Sequence, residues 1–129
     1  MLVSWDWLKQ YVALDMDREE LENRLAMSGL NHEGSKPVGS DIAIDLEVTS
    51  NRPDCLGHIG IAREIAVLYN QALTLPNPQP DTSGPDVNAD FSVSITAPEL
   101  CPRYTARIIR GVTIKDSPTW MQDQLRTVF

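Results

Sequence analysis

The sequence predicts an α+β fold, in which a small helical domain with short strands precedes the opening strands and helix of a second domain. In 42–48, apolar residues alternate with polar ones, as they do in a half-buried strand. In 56–69 they recur at helical spacing instead. Four prolines and a glycine lie in 75–88, which favours an extended linker. We therefore predict a first domain over 1–74 and a second one that opens at 89–129.

Composition favours a globular protein without a membrane-spanning or secretory segment. The chain has 129 residues, 42% of them apolar, which is enough for a core. No apolar run approaches the roughly 20 residues of a membrane helix, and the start lacks the regions of a secretory signal. We therefore expect a cytoplasmic protein in which Cys55 and Cys101 are free thiols.

Charge is distributed unevenly along the chain. The net charge of −7 argues against general nucleic-acid binding, because displacing the counterions of phosphates needs lysine and arginine. Residues 101–129 carry five cations and two carboxylates, a balance of +3, so residues 1–100 carry −10. A solvated strand face explains the basic stretch better than a contact with RNA does.

A helix with recognisable ends is predicted between Asp17 and Ser28. Asp17, followed three positions later by Glu20, resembles a capping box. Gly29 suits the left-handed position that follows a helix, and Leu30 can pack back on the last turn.

Two further segments flank this helix. Before it, Ser4 can cap a helix that runs from Trp5 to about Val12. After it, residues 31–40 are polar and contain two glycines and a proline, which predicts a loop or a loose hairpin.

A tight turn separates the predicted strand in 42–48 from the central helix. Pro53 fixes its own φ and disfavours helical conformations at Arg52, so the chain breaks there. Asp54 is predicted to be the N-cap, because its carboxylate can accept from free N–H groups of the first helical turn. The expected apolar stripe comprises Leu56, Ile59, Ala62, Ile65, Ala66 and Tyr69.

The last part of the chain predicts two strands and a helix. Apolar residues alternate in 91–95 and again, over a longer span, in 104–114. Ser117 and Pro118 suit the N-cap and first position of a helix that contains Trp120. This helix stops at Phe129 without a cap, which we interpret as the end of a truncated fragment.

Three groups of residues could carry chemistry, but a structural role explains each of them better. Cys55 and His58 have the spacing of a metal-binding pair, yet His32 is the one further histidine, and zinc needs about four ligands. The carboxylates of one strand face could form a magnesium site or an acid–base site, but they fit a solvent-facing surface better: they are Asp41, Asp45 and Glu47.

The turn offers the third group. Asn51, Arg52 and Asp54 could contact a substrate, whereas turn formation, capping and a local arginine–carboxylate bond explain them more simply. Gly57 and Gly60 lack the pattern of a phosphate loop; they could allow close helix packing or loosen the first helical turn. We assign no catalytic, cofactor-binding or metal-binding residue.

The segment TSNRPDCLGHIGIAREIA, at 49–66, closely resembles the N-terminal region of the phenylalanyl-tRNA synthetase beta subunit. Two other segments resemble the same family in the same order: MLVSWDWLKQYV…LENRLAMSGL at 1–30, and CPRYTARIIRGVTI…SPTWMQDQL at 101–125. The resemblance implies a piece of a heterotetrameric ligase that joins phenylalanine to its tRNA with ATP and magnesium. Partners would be the alpha subunit, the remaining beta-subunit domains and tRNA.

The resemblance also implies how the chain is organised. Residues 1–74 would be the family's first domain, a DNA-binding-like helical fold, without the OB-fold tRNA-binding domain that most bacterial relatives insert at 31–40. This loss could be natural or engineered. Residues 89–129 would open the editing domain, whose editing residues lie beyond Phe129, as do the magnesium ligands.

We therefore expect a non-catalytic fragment that is inactive alone and contributes to assembly and tRNA handling. Two alternatives stay open: a stand-alone nucleic-acid-binding module and a protein-interaction module.

Overall fold

The computed structural model describes residues 1–82 and 84–129, and it confirms the α+β class. The chain divides into two compact units: one combines Met1–Asn77 with Ser117–Phe129, and the other is Pro78–Asp116. The first unit holds an antiparallel sheet of three strands and the four α-helices of the described residues.

The sheet consists of β1 (Leu2–Ser4), β2 (Asn31–Val38) and β3 (Asp41–Glu47), in the order β1-β3-β2. β3 is therefore paired on both sides, as its alternating apolar residues predicted. The hairpin alternative for 31–40 is confirmed, because β2 pairs with β3 along its length, with one irregularity near His32. The turn depends on Gly39, whose φ of 61° suits glycine.

The first two helices differ in how closely they follow the sequence pattern. α1 (Trp5–Leu8) has the predicted cap, since the Ser4 hydroxyl accepts from the Trp7 N–H, but it ends four residues before the expected Val12. α2 (Arg18–Met27) has Asp17 at the N-cap, as predicted, but the Asp17 side chain makes no capping hydrogen bond, so the capping box itself is wrong.

The end of α2 confirms the prediction for Gly29. This residue has a φ of 96°, and its N–H donates to the Ala26 carbonyl. The N–H of Leu30 donates to the carbonyl of Leu25, which completes a Schellman motif and buries the Leu30 side chain.

The predicted N-cap role of Asp54 is wrong. Residues Pro53–Cys55 form a separate 3-10 turn, and α3 (His58–Leu68) begins after Gly57. Proline starts that turn with its fixed φ, so Asp54 is used before the helix begins. The close approach occurs at Gly60, where a Cβ would lie 1.9 Å from the Asp54 carbonyl oxygen.

The core of the first unit lies between the sheet and the helices. Ile65 is fully buried, as predicted, and so is Ile61, which the expected stripe omitted. The prediction that Leu56 belongs to the core is wrong, because this residue precedes α3 and is 65% exposed. The central apolar cluster comprises Val3, Leu8, Val12, Leu21, Leu25, Leu30, Ile44, Leu46, Cys55, Ile61, Ala62, Ile65 and Ala66.

The strands predicted at 91–95 and 104–114 are absent from the described part of the chain. In the second unit, Pro78–Asp116, the described residues form only one 3-10 turn, Val87–Ala89. Both segments are extended or irregular and exposed, because neither has a neighbouring strand to pair with. The last helix, α4 (Thr119–Val128), does form, with Pro118 at the N-cap and not at the first helical position.

Candidate functional site

The turn before α3 is organised by Arg52. Its Nε and Nη2 donate to the two carboxylate oxygens of Asp54, at 3.1 and 2.9 Å, and Nη2 also lies 2.7 Å from the Glu64 carboxylate. This bidentate contact lowers the pKa of Asp54 to about 2. The predicted local arginine–carboxylate bond is thus confirmed, whereas Asn51 is simply exposed.

Three potential metal ligands meet at this turn. The ligand atoms of Asp54, Cys55 and Glu64 lie within 4.8 Å of one another. However, Arg52 already binds both carboxylates, and burial raises the pKa of the Cys55 thiol to about 11. A protonated thiol beside a guanidinium is a poor ligand, so the arrangement favours a structural role for the turn.

Asp41 is the centre of a second polar cluster, where β3 meets α1. Its Oδ1 accepts from the N–H groups of Asp6 and Ile42, at 3.0 and 2.7 Å, and its Oδ2 accepts from the Ser4 hydroxyl at 2.5 Å. Burial alone would raise the pKa of Asp41, but these hydrogen bonds outweigh it and lower the pKa. The carboxylate therefore stays charged and holds the start of α1 against β3.

His58 completes this cluster from the first turn of α3. Its Nε2 accepts from the Ser4 backbone N–H at 2.9 Å, and its ring stacks on Trp7 with centroids 4.2 Å apart. Burial lowers the pKa of His58 to about 4, although the charge of Asp41 acts in the opposite direction. The ring is therefore neutral at pH 7.

Ser4, His58 and Asp41 lie together, but they are not arranged for nucleophilic catalysis. The Ser4 hydroxyl donates its proton to Asp41, while His58 binds the backbone N–H and not the hydroxyl. A serine nucleophile needs the reverse, with histidine accepting the hydroxyl proton. The sequence could not reveal this cluster, because its members lie 37 and 54 positions apart.

The other predicted candidates are dispersed. Asp45 contacts the Met1 amino group, and Glu47 accepts from the Asn31 side chain at 3.0 Å, so the strand-face carboxylates share no ligand. Sequence reasoning also missed Glu22, which is 5% exposed and accepts from Arg18 and Ser35. This carboxylate ties α2 to the β2–β3 hairpin.

Several curated proteins are similar to this chain. The phenylalanine–tRNA ligase beta subunit of Rhodopirellula baltica is 56% identical over 128 residues, which cover 99% of this chain and 19% of that protein. The beta subunit of Thermotoga maritima is 52% identical over 82 residues, 64% of this chain and 10% of that protein. That of Moorella thermoacetica is 45% identical over 86 residues, 67% and 11% respectively.

The chain thus spans about a fifth or less of the length of these relatives. No protein-family model and no solved structure matches it.

Proposed function

Because the chain is homologous to part of the phenylalanine–tRNA ligase beta subunit, we propose that it is a non-catalytic segment of such a subunit. The observation that carries this proposal is the 56% identity across 99% of the chain. In this role the segment contributes to assembly and to tRNA handling while the complete ligase charges tRNA with phenylalanine. ATP and magnesium would serve the complete ligase, which would be located in the cytoplasm.

The polar clusters support a non-catalytic role. Arg52 binds the carboxylates at the turn, and the Ser4 hydroxyl donates its hydrogen bond to Asp41. The Arg52–Glu64 contact joins the turn to α3, and the Ser4–Asp41 bond joins β1 to β3. These groups are used within the fold, so neither cluster offers a free nucleophile or base to a substrate. Among the described residues, no helix is long and apolar enough to cross a membrane.

The exposed apolar residues of 89–116 support a second part of the proposal. Val112 is 73% exposed and Ile114 is 99% exposed, although both belong to an alternating pattern that suits a strand. We propose that residues 89–129 open an editing-type domain, in which strands of the remaining beta subunit would pair with this segment. Assembly with the alpha subunit would then involve the completed subunit.

The short β2–β3 hairpin fits a natural origin. The match to the Rhodopirellula baltica protein spans 128 residues and covers 99% of this 129-residue chain, so it leaves no room for a large insertion. A distinct protein with a connection of the same length argues against an engineered seam. We propose that this ligase lacks an OB-fold domain at 31–40.

A chimera tests the proposed function. This chain would replace the matching 128 residues of the Rhodopirellula baltica beta subunit, co-expressed with the alpha subunit of that organism. We expect the chimera to co-purify with the alpha subunit and to charge tRNA with phenylalanine. A deletion of the same segment is the matched control.

The isolated chain provides the complementary measurement. We expect it to show no phenylalanine-dependent exchange of pyrophosphate into ATP. Exchange by the pure chain would overturn the non-catalytic role. A folded chimera that neither binds the alpha subunit nor charges tRNA would overturn the assignment to the ligase.

A further inference from the structure

A groove of about 350 Å³ opens beside Asp41, where α1, the β2–β3 turn and α4 come together in the first unit. Among the residues singled out in the sequence, Asp41 lines it, but the sequence could not place α4 there, because α4 follows the β2–β3 turn by almost eighty positions. The groove is partly aromatic and partly acidic. Its aromatic and charged lining residues are Asp6, Trp7, Asp41, Trp120, Asp123 and Arg126.

The charged lining favours a cationic occupant. Three carboxylates and one guanidinium give the lining a formal charge of −2. Asp123 binds Arg126 at 2.9 Å, but both side chains are more than half exposed, so solvent competes with this pair. Asp6 is likewise half exposed beside Lys9. A phosphate would meet net repulsion here, whereas a cation would gain hydrogen-bond acceptors.

The aromatic lining narrows the choice of cation. Trp120 is 61% exposed, which leaves much of its indole available to a partner. A guanidinium can stack on an indole face and donate to a carboxylate at the same time, which an ammonium does less well. The chain already uses this chemistry elsewhere: Arg24 lies 4.7 Å from the Tyr69 ring centre and donates to a backbone carbonyl.

We propose that this groove binds an arginine side chain presented by a basic segment of a partner protein. The guanidinium stacks on Trp120 and donates to Asp123, in place of the exposed Arg126 contact. Gln10 and Gln124 also line the groove and offer neutral acceptors to the remaining N–H groups. The groove is therefore a protein-docking site and not a surface for nucleic acid.

Peptide titration of the intact 129-residue chain tests the groove. The probe is acetyl-Ala-Arg-Ala-amide, and the control probe carries citrulline, which keeps the shape but not the charge. We expect the arginine peptide to shift the NMR signals of the Trp120 indole and the β2–β3 turn, with an affinity on the order of millimolar. The citrulline peptide should leave these signals in place.

Variants assign the binding to the groove. Trp120→Ala and Asp123→Asn should each lower the affinity for the arginine peptide at least about fivefold, and Trp120→Phe should lower it less. Asp15→Asn is the matched control, because it removes an equal charge from an exposed position outside the groove. Circular dichroism checks that each variant keeps the helix content of the original chain, and Trp120→Phe with Asp123→Asn keeps the test informative if Trp120→Ala unfolds.

Three results would overturn the proposal. If the citrulline peptide bound as tightly as the arginine peptide, the charge of the guanidinium would play no part in binding. Equal weakening by Asp15→Asn would reveal a general attraction to an acidic chain. Shifts of the same signals by single-stranded oligouridine, in place of the arginine peptide, would make the groove a nucleic-acid site. No ligase subunit is needed, so failure here would leave the proposed function untouched.

Discussion

Two segments of this chain share the same alternating pattern and have different structures. In 42–48 the pattern forms β3, which has a strand on each side and buries Ile44 and Leu46. In 104–114 it forms no strand, and Ile109 and Val112 are 80% and 73% exposed. Alternation therefore indicates which side chains could share a face, whereas a strand also needs neighbours for its N–H and C=O groups.

The largest expected difference between the two units is the cost of removing an isoleucine side chain. Ile65→Ala should lower the free energy of unfolding by about 2–5 kcal/mol, because it leaves a cavity in a fully buried site. Ile109→Ala should change it by less than about 0.5 kcal/mol, since that side chain is 80% exposed. Urea unfolding measures both, and equal costs would contradict the contrast between the units.

The turn before α3 should tolerate a methyl group at one glycine and not at the other. Gly60→Ala should cost about 3 kcal/mol, because the new Cβ would lie 1.9 Å from the Asp54 carbonyl oxygen and the backbone must shift. Gly57→Ala is the matched control: nothing lies within 4 Å of its added Cβ, and its φ of 167° is extended backbone. Thermal unfolding of both variants measures the difference, and a harmless Gly60→Ala would mean that the turn is looser than described.

Acid should weaken the first unit through His58. Burial lowers the pKa of His58 to about 4 in the folded chain, while the unfolded value is near 6.5. The unfolded state therefore binds more protons between these values, so stability is complete above about pH 6.5 and falls as the pH drops toward 4. After a discount for partial exposure, we expect a loss of about 2 kcal/mol across this window.

His58→Gln provides the control for this pH dependence. Glutamine keeps an acceptor for the Ser4 N–H but does not titrate, so the variant should lose most of the pH dependence between 4 and 6.5. The urea midpoint measured across this range gives the comparison. An unchanged slope in the variant would assign the acid sensitivity to other groups.

Local signals explain most of what the sequence could predict in the first unit. The Ser4 cap, the glycine that ends α2 and the burial of Ile65 each depend on a few neighbouring residues. The cluster of Asp41 and His58 could not be predicted, because it requires knowing that β3 lies beside the start of α1. The strand predicted at 104–114 could not be excluded from the sequence either, because the alternating pattern does not show whether a neighbouring strand is present to pair with it.

Asp54 shows how a local signal can mislead, and its variants give the smallest expected effect. A carboxylate before an apolar stripe is typical of an N-cap, but here it binds Arg52 two residues earlier. Asparagine caps helices well, yet it cannot form the charged bidentate bond. Asp54→Asn and Asp54→Ala should therefore lower the melting temperature by similar small amounts, less than Gly60→Ala does.

Glu64 sharpens this last comparison, because it receives the other contact of Arg52, at 2.7 Å. If Arg52 organises the turn by holding both carboxylates, Arg52→Gln should lower the melting temperature at least as much as either Asp54 variant. Melting curves of the three variants, recorded at low and at high salt, separate the interpretations, since salt screens an exposed ion pair. A fully stable Asp54→Asn beside a destabilised Asp54→Ala would restore the capping role and leave the arginine contact incidental.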